Sequence, residues 1–238
     1  MSYLIDKDYY EYAYHKYFTG KDITMQQWTP DPNWDYPDQD LLRFNSILKP
    51  NLDILEQKRV IDIGCFLGYI GSMCLKNGSS FCRFIEGRQQ WLDIAEEIVA
   101  AQGYTNVDFY QQDITNSEQL YTLTQNFDTA LLASVLYHVP DPYKILSCLT
   151  HVPNIIIESK ETALTLHTDR PIIDYKLETL QAGGLGAYGT QNTIVVGKPS
   201  RAWYTMVMEN FGYQLTYEDL YYMPDNDNTL RLYKFQKV

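Results

Sequence analysis

The sequence predicts an α/β fold in which helices cover both faces of a mainly parallel β-sheet. Five strand patterns alternate with helix patterns between residues 59 and 158, which is typical of successive βα units. A glycine-containing turn follows the first strand, and two alternating segments near the end of the sequence resemble an antiparallel hairpin. These three observations together favour one domain with a ligand site at the carboxyl edge of its sheet.

The first 58 residues are expected to form a helical and aromatic cap rather than a separate domain. Helical spacing covers residues 5–20, an aromatic proline-rich stretch follows, and further helical patterns cover about 38–47 and 52–56. This segment is too small and too polar to bury a core of its own. Residues 59–238 are expected to form the main domain, with an insertion at about 160–199.

The first strand is predicted at 59–63, where Val60 and Ile61 supply β-branched bulk for a buried parallel strand. Its helix, at about 67–77, ends at Asn77 and Gly78. The later strands are predicted at 81–85, 107–110, 129–133 and 154–158, and the later helices at 89–101, 116–124 and 142–149.

The βα pattern stops after residue 160. Residues 160–199 contain no clear βα unit and carry four glycines between 183 and 189. Ser200 is a suitable N-cap for a helix that extends through Phe211. Alternating segments at 213–222 and 229–237 flank a proline- and asparagine-rich turn, which predicts a terminal hairpin.

Composition limits the classes of function. With 19 basic and 30 acidic residues the formal net charge is −11, and nucleic-acid binding depends largely on the neutralisation of phosphates. The sequence also shows no secretory leader and no apolar run of membrane-spanning length, so we expect a cytoplasmic protein. Its four cysteines lack metal-ligand spacing and are interpreted as reduced core thiols, and no metal is expected.

The turn after the first strand is the primary candidate site. Gly64 and Gly68 allow the backbone to turn sharply and to approach a ligand closely. A predicted helix begins directly after the turn, so its N-terminus also points toward a bound group. These features predict a site for a nucleotide-like molecule.

Polar residues follow the next three strands at the same edge of the sheet. Glu86 ends the second strand, where a carboxylate can accept hydrogen bonds from the hydroxyls of a ribose. Asp113 follows the third strand, where it could meet an adenine amino group while Ile114 lies against the ring. Residues 134–138 follow the fourth strand beside the glycine turn. Each position alone could be a helix cap or a solvated turn, but three at successive strand ends favour a ligand site.

The chain resembles class I S-adenosylmethionine-dependent methyltransferases from about residue 40 to its end. Its sequence Asp62-Ile-Gly64-Cys-Phe-Leu-Gly68 matches the D-x-G-x-x-x-G signature of that family, although many members have glycine in place of Phe66. The resemblance implies a Rossmann-like seven-stranded sheet of order 3-2-1-4-5-7-6, whose last strand is antiparallel.

The resemblance also implies a set of cofactor contacts. The turn residues Gly64, Cys65 and Gly68 would bind the methionine part of S-adenosyl-L-methionine. Glu86 would bind its ribose, and Asp113 and Ile114 would bind its adenine. Ser134 would also contact the cofactor. Asp62 would hold the turn or bind the amino group of the cofactor.

A narrower similarity involves residues 136–142 (Leu-Tyr-His-Val-Pro-Asp-Pro), 188–192 (Tyr-Gly-Thr-Gln-Asn), Pro199, Ser200 and Trp203. These are similar to tRNA wobble-uridine carboxymethyltransferases, which use a carboxylated form of the same cofactor. The acidity of the chain argues against a tRNA substrate, so the favoured acceptor is a small molecule or a protein side chain.

The transfer expected of this family is an in-line displacement, in which alignment supplies much of the acceleration. Tyr137 and His138 are the candidate catalytic residues, as a base or as groups that position the acceptor. Alternatively, Tyr137 packs over the cofactor and His138 stabilises the loop. Trp28, Trp34, Tyr188 and Arg201 are candidates for the acceptor wall.

Two further readings stay open at this point. A nicotinamide-dependent dehydrogenase also uses a glycine turn and an acidic residue, but it favours G-x-G-x-x-G, whereas this chain has glycines at 64, 68 and 71. A non-catalytic cofactor-binding module is the other reading, because the sequence contains no unmistakable acceptor-site motif.

Overall fold

The computed structural model describes residues 43–179, 193–223 and 228–238. The predicted helix at 5–20, Trp28, Trp34, the glycine cluster with Tyr188, and the turn at 224–227 lie outside these residues. Among the described residues, no helix is both long enough and apolar enough to cross a membrane.

A seven-stranded sheet forms the centre of the molecule. Its strands are β1 (Arg59–Ile63), β2 (Phe81–Glu86), β3 (Val107–Gln111), β4 (Thr129–Ala133), β5 (Asn154–Lys160), β8 (Tyr213–Met223) and β9 (Asn228–Lys237). They lie in the order β3-β2-β1-β4-β5-β9-β8. Strands β1 to β5 are mutually parallel, and β9 is antiparallel to both of its neighbours. The predicted sheet order and terminal hairpin are therefore confirmed.

Helices α1 (Tyr69–Lys76), α2 (Gln89–Ala101), α3 (Ser117–Leu123), α4 (Pro142–Ser147), α5 (Ala163–Leu166) and α6 (Arg201–Asn210) connect these strands. Buried residues of α1 and α2 form one core layer with Val60 and Leu131, whereas those of α3, α4 and α6 form the other with Ile61 and Leu132. Val60 and Ile61 are consecutive on β1, and Leu131 and Leu132 on β4, yet the two members of each pair lie in opposite core layers. This is expected of strands that are buried on both faces. The expectation of helices on both faces is confirmed.

The residues before β1 form two short irregular helices instead of the regular helices predicted there. A π-helix covers Phe44–Leu48 and a 3-10 helix covers Lys49–Ile54, with Pro50 in its first turn. Proline has no backbone N–H to donate, which interrupts a regular α-helix at this point. Ile47, Leu48, Ile54 and Leu55 pack into the same core layer as α1. The division between a cap and a main domain at residue 58 stays a prediction.

The predicted insertion contains a second sheet that was not predicted from the sequence. Strands β6 (Ile173–Thr179) and β7 (Thr193–Pro199) pair antiparallel, in register from Ile173 with Pro199 to Thr179 with Thr193. The backbone N–H of Gly197 donates to the carbonyl of Val139 at 3.0 Å, which fixes β7 beside the loop after β4. We call the described parts of β6 and β7 the insertion ribbon.

Candidate active site

The turn after β1 is built on residues with left-handed backbone conformations. Gly64, Phe66 and Gly68 have φ angles of 73°, 54° and 75°. The backbone N–H groups of Gly64 and Cys65 both donate to the carbonyl of Ile85, at 2.8 and 3.0 Å, and so join the turn to β2. A Cβ atom on Gly64 would lie 2.5 Å from Cγ2 of Val135. The loop after β4 therefore packs directly on the turn, where only glycine fits.

Asp62 holds this turn against the first turn of α1. Its carboxylate is buried, and Oδ2 accepts a hydrogen bond of 2.9 Å from the backbone N–H of Gly71. Burial raises the pKa of Asp62 to about 7, while the Gly71 hydrogen bond acts in the opposite direction. Of the two roles expected for this residue, the structure displays the contact with the turn.

Glu86 connects the end of β2 to the same turn. Oε2 accepts from the backbone N–H of Phe66 at 3.1 Å, and Oε1 accepts from the backbone N–H and Nε of Arg88 at 3.1 and 3.0 Å. The side chain of Glu86 is 4% exposed, whereas that of Arg88 is 24% exposed. Glu86 is thus a buried acceptor that faces the glycine turn and is covered from outside by Arg88.

Asp113 and Ile114 follow β3 at the same edge of the sheet. Oδ1 of Asp113 accepts from the backbone N–H of Thr115 at 2.9 Å and from its hydroxyl at 2.7 Å, which makes a local Asx turn. Ile114 is buried in the core layer that contains Ile85 and Leu120. The structure thus shows structural contacts for both residues, and their adenine contacts stay predictions.

The loop after β4 begins with a strained serine. Ser134 has a φ angle of 58°, and its backbone N–H donates to the carbonyl of Glu158 at 3.0 Å. Tyr137, two residues into the short helix Leu136–His138, is buried. Burial raises the pKa of the Tyr137 phenol to about 12, despite a hydrogen bond with Ser134 that lowers it. The phenol is therefore protonated at neutral pH, which suits a hydrogen-bond donor better than a general base.

Sequence reasoning missed Glu158, which lies near the end of β5 and has a fully buried side chain. Its Oε2 accepts from Nη2 of Arg43 at 2.8 Å and from the Ser134 hydroxyl, and its Oε1 accepts from the hydroxyl of Tyr221. This carboxylate therefore ties the loop after β4 to β8 and to the segment before β1. The rule that selected Glu86, an acidic residue at the carboxyl end of a parallel strand, could also have selected Glu158.

His138 contacts the insertion ribbon. Its Nδ1 lies 2.6 Å from Oε2 of Glu178, and Oε1 of Glu178 lies 3.2 Å from Nζ of Lys198. Arg201, a predicted wall residue, instead pairs with Glu218 of β8 at 2.7 Å. No sequence signal identified Glu178 or Lys198, because both lie on strands whose pairing was not predicted.

Residues 54–168 match the family model described as a methyltransferase domain. Among curated proteins, tRNA U34 carboxymethyltransferases from two strains of Campylobacter jejuni are 31% identical over 120 residues. That alignment covers 50% of this chain but only 38% of the length of those relatives.

Solved structures share the fold over most of the chain. The N-terminal domain of EvdMO1, in the presence of SAH and D-fucose, aligns with a TM-score of 0.65 and 17% identity over 100% of both chains. Magnesium protoporphyrin IX methyltransferase from Synechocystis PCC 6803 with bound SAH aligns with a TM-score of 0.59 and 14% identity, and the alignment covers 98% of this chain and 100% of that one. A putative RNA methyltransferase from Pyrococcus horikoshii aligns with a TM-score of 0.54 and 13% identity, and the alignment covers 88% of this chain and 91% of that one. At these identities the likeness is one of fold.

Proposed function

We propose that this chain, in which residues 54–168 match a methyltransferase domain, is a class I S-adenosylmethionine-dependent methyltransferase that transfers a methyl group to a small-molecule or protein acceptor. The observation that carries this proposal is the convergence of the glycine turn, Glu86 and the loop after β4 at one edge of the sheet. Val135 of that loop lies against Gly64, so the loop that carries the candidate catalytic residues packs on the turn.

The residues at this edge fit S-adenosyl-L-methionine. A side chain at Gly64 would fill the space between the turn and Val135, and Glu86 is a buried carboxylate suited to ribose hydroxyls. A carboxylate offers about four acceptor positions, and three are already taken by Phe66 and Arg88. One hydroxyl can therefore bind directly, and a second can replace the bond from Arg88 Nε, whose side chain is partly exposed.

Bound S-adenosyl-L-methionine supplies an activated methyl group on a sulfonium, so the protein residues mainly bind and align the reactants. We assign the methionine part to Gly64, Cys65, Gly68 and Ser134, with Asp62 fixing the turn. Glu86 would hold the ribose, and Asp113 with Ile114 the adenine. Tyr137 and His138, directly after the strand that borders β1, would contact the acceptor.

Calorimetry with S-adenosylmethionine, S-adenosylhomocysteine and NAD tests the cofactor assignment. We expect binding of both sulfur compounds and no binding of NAD. Binding of NAD alone would refute the proposal. Binding without transfer of labelled methyl groups into any cell fraction would identify a non-catalytic module.

Replacement of Glu86 by alanine tests the ribose contact. We expect the affinity for S-adenosylhomocysteine to fall by at least about tenfold, because a hydrogen bond to a charged group contributes roughly 1.5–3 kcal/mol. The matched control is Asp93→Asn, because Asp93 is an exposed carboxylate of α2 that bonds Gln89. Equal affinities of Glu86→Ala and the control protein would remove Glu86 from the site.

A second candidate function is carboxymethylation of a tRNA uridine. It is supported by the 31% identity over 120 residues to tRNA U34 carboxymethyltransferases, and the formal net charge of −11 opposes it. Labelled methyl transfer into cell fractions, followed by nuclease or protease treatment, separates the acceptors. Nuclease-sensitive label would favour tRNA, whereas protease-sensitive or small-molecule label would favour the first candidate. Comparison of binding by S-adenosylmethionine and its carboxylated form decides which cofactor is used.

A further inference from the structure

We propose that Glu178 of the insertion ribbon is a positioning residue that makes His138 a proton acceptor, and that the methyl acceptor is a hydroxyl or ammonium group. This inference rests on the proposed methyl transfer and assigns a role to the ribbon within it. It combines the contact between His138 and Glu178, the charge of Glu178, and the packing of the loop that carries His138 on the glycine turn.

The ribbon is fixed where it can orient the histidine. The hydrogen bond from Gly197 to Val139 places β7 next to the short helix that contains His138. Glu178 and Lys198 both have largely buried side chains, 14% and 8% exposed, and they form an ion pair at 3.2 Å. Lys198 Nζ also lies 5.9 Å from the centre of the Tyr137 ring. The carboxylate that faces His138 is thus itself held in place.

The charge of Glu178 decides the tautomer of His138. Burial acts to raise the pKa of Glu178, but the hydrogen bonds and positive charges of His138 and Lys198 outweigh it and lower the pKa below its usual value. Glu178 is therefore a carboxylate at neutral pH and can only accept a hydrogen bond. The proton between Glu178 and His138 must then reside on Nδ1, at 2.6 Å from Oε2. In a neutral imidazole this leaves the lone pair on Nε2.

His138 Nε2 is available for chemistry. Its side chain is 21% exposed, and Nε2 has no hydrogen bond to any residue within 43–179, 193–223 or 228–238. The loop that carries His138 rests on Gly64 through Val135. The lone pair therefore belongs to the loop that packs on the turn of the proposed methyl donor site, three residues after Val135.

His138 can act as the base that accepts the proton released by the acceptor during methyl transfer. As the acceptor oxygen or nitrogen forms its bond to the methyl carbon, the carbon–sulfur bond breaks and its electron pair stays on sulfur. A hydroxyl acceptor loses its proton to Nε2 as the new bond forms, whereas an ammonium acceptor loses it to Nε2 beforehand, because its nitrogen needs a lone pair to attack. Glu178 stabilises the resulting imidazolium. A carboxylate acceptor has no proton to lose and needs no such base, so the arrangement favours hydroxyl or ammonium acceptors.

The tautomer can be measured without an acceptor, by nitrogen NMR of protein labelled with ¹⁵N in histidine, above the titration range of the imidazoles. We expect His138, assigned with His138→Gln, to carry its proton on Nδ1. His151 is an internal control, because its Nε2 contacts the carbonyl of Thr124 at 3.0 Å and the amide nitrogen of Gln125 at 3.1 Å, and its signals should not depend on Glu178. A His138 protonated on Nε2 in the wild type would overturn the proposal.

Two substitutions test the role of Glu178. In Glu178→Ala we expect His138 to lose its Nδ1–H preference, whereas Glu178→Gln should retain it, because the amide oxygen still accepts. Unchanged His151 signals report that each variant is folded. An unchanged His138 tautomer in folded Glu178→Ala would refute the positioning role.

Activity then tests the acceptor class. We expect Glu178→Ala to slow methyl transfer at least about tenfold, because general-base catalysis contributes roughly 10²–10⁴-fold, with affinity for S-adenosylhomocysteine unchanged within about twofold. The transferred label should resist alkali, as in methyl ethers and methylamines. Alkali-labile label, as in methyl esters, would overturn the acceptor class. Loss of S-adenosylhomocysteine binding by the wild type would instead refute the proposed function.

Discussion

Phe66 occupies a backbone position that favours glycine, with a φ angle of 54° between two left-handed glycines. A left-handed conformation costs a residue with a side chain roughly 1–2 kcal/mol. The ring of Phe66 lies edge-on to that of Trp91, with 4.4 Å between centroids, and this contact offsets part of the strain. The glycine that many family members have at this position thus has a physical reason in the turn geometry.

Two substitutions separate strain from packing at this position. Phe66→Ala and Phe66→Gly both remove the ring, but only alanine keeps the left-handed strain. We expect the glycine variant to be more stable than the alanine variant by about 1 kcal/mol, measured as the free energy of unfolding in urea. Greater stability of the alanine variant would show that position 66 does not adopt this conformation in solution.

Asp62 should make stability depend on pH. Its pKa is about 7 in the folded protein and near 3.8 in the unfolded chain, so the folded state binds the additional proton between these values. The contribution of Asp62 to the free energy of unfolding should therefore fall as pH rises from about 4 to 7. Asp62→Asn cannot titrate, and its slope in this window should differ from that of the wild type by up to about 1.4 kcal/mol per pH unit.

Urea unfolding at several pH values between 4 and 8 measures this slope. Asp93→Asn, which changes an exposed carboxylate of α2, is the control and should keep the wild-type slope. Equal slopes for Asp62→Asn and wild type would show that the buried carboxyl does not titrate as inferred.

Individual site residues were predictable only where they obey a local rule. Asp62, Glu86 and Ser134 occupy strands or strand ends whose position follows from the βα pattern, and the structure places all three beside the glycine turn. Glu158 is also an acidic residue at the end of a parallel strand, but it was predicted only as the last residue of that strand. Glu178 reaches His138 over a separation of 40 residues, and the pairing of β6 with β7 brings Lys198 to Glu178.

At the scale of elements, α6 depends on a serine that does more than cap a helix. Ser200 is fully buried, its Oγ accepts from the backbone N–H groups of Trp203 and Ile172 at 3.3 and 3.2 Å, and it donates to the carbonyl of Arg170 at 2.7 Å. This side chain thus joins α6 to the segment that enters the insertion ribbon. Its role as an N-cap is confirmed, and its contacts with 170–172 were not foreseen.

Ser200→Ala should reduce the free energy of unfolding by about 2 kcal/mol, because it removes a buried cap of α6 together with the bonds of its hydroxyl to the N–H of Ile172 and the carbonyl of Arg170. Asn116→Ala is the matched variant, because Asn116 caps α3 at an exposed position through a 3.4 Å hydrogen bond. We expect this substitution to lower the free energy of unfolding by about 0.5 kcal/mol. Thermal or urea unfolding of both proteins measures the difference. Similar losses would mean that Ser200 acts as a cap alone.

Most regular elements were predictable, and the two exceptions have different causes. Strands β1 to β5 and the terminal hairpin have strong apolar patterns bounded by turn residues, and their bounds differ from prediction by two residues or fewer. The insertion ribbon was missed even though residues 173–179 (Ile-Asp-Tyr-Lys-Leu-Glu-Thr) alternate apolar and polar side chains, the pattern of a half-buried strand. That pattern could have predicted β6, although Tyr175 and Leu177 are exposed in the structure. The π-helix at 44–48 depends on packing against α1 rather than on local propensity.

At the scale of the whole molecule, the charge of −11 bears on the choice of acceptor. We expect unmodified tRNA to bind with a Kd no tighter than roughly 10⁻⁴–10⁻⁶ M at about 0.15 M salt, the range of non-specific contacts. Fluorescence anisotropy with labelled tRNA measures this affinity. A nanomolar Kd would restore the tRNA candidate, and a steep dependence on salt would place basic residues in the contact.

The position of β9 has a consequence for how the chain folds during synthesis. Residues 228–237 are translated after all the other strands, yet β9 lies inside the sheet between β5 and β8. Until it emerges from the ribosome, one edge of β5 has no neighbour, and such an edge is a template for mispairing between nascent chains. The five parallel strands can assemble early, but the last step must wait for release of the final ten residues of the sheet. A pause in translation just before residue 228 would therefore prolong the interval in which the protein is most prone to aggregate.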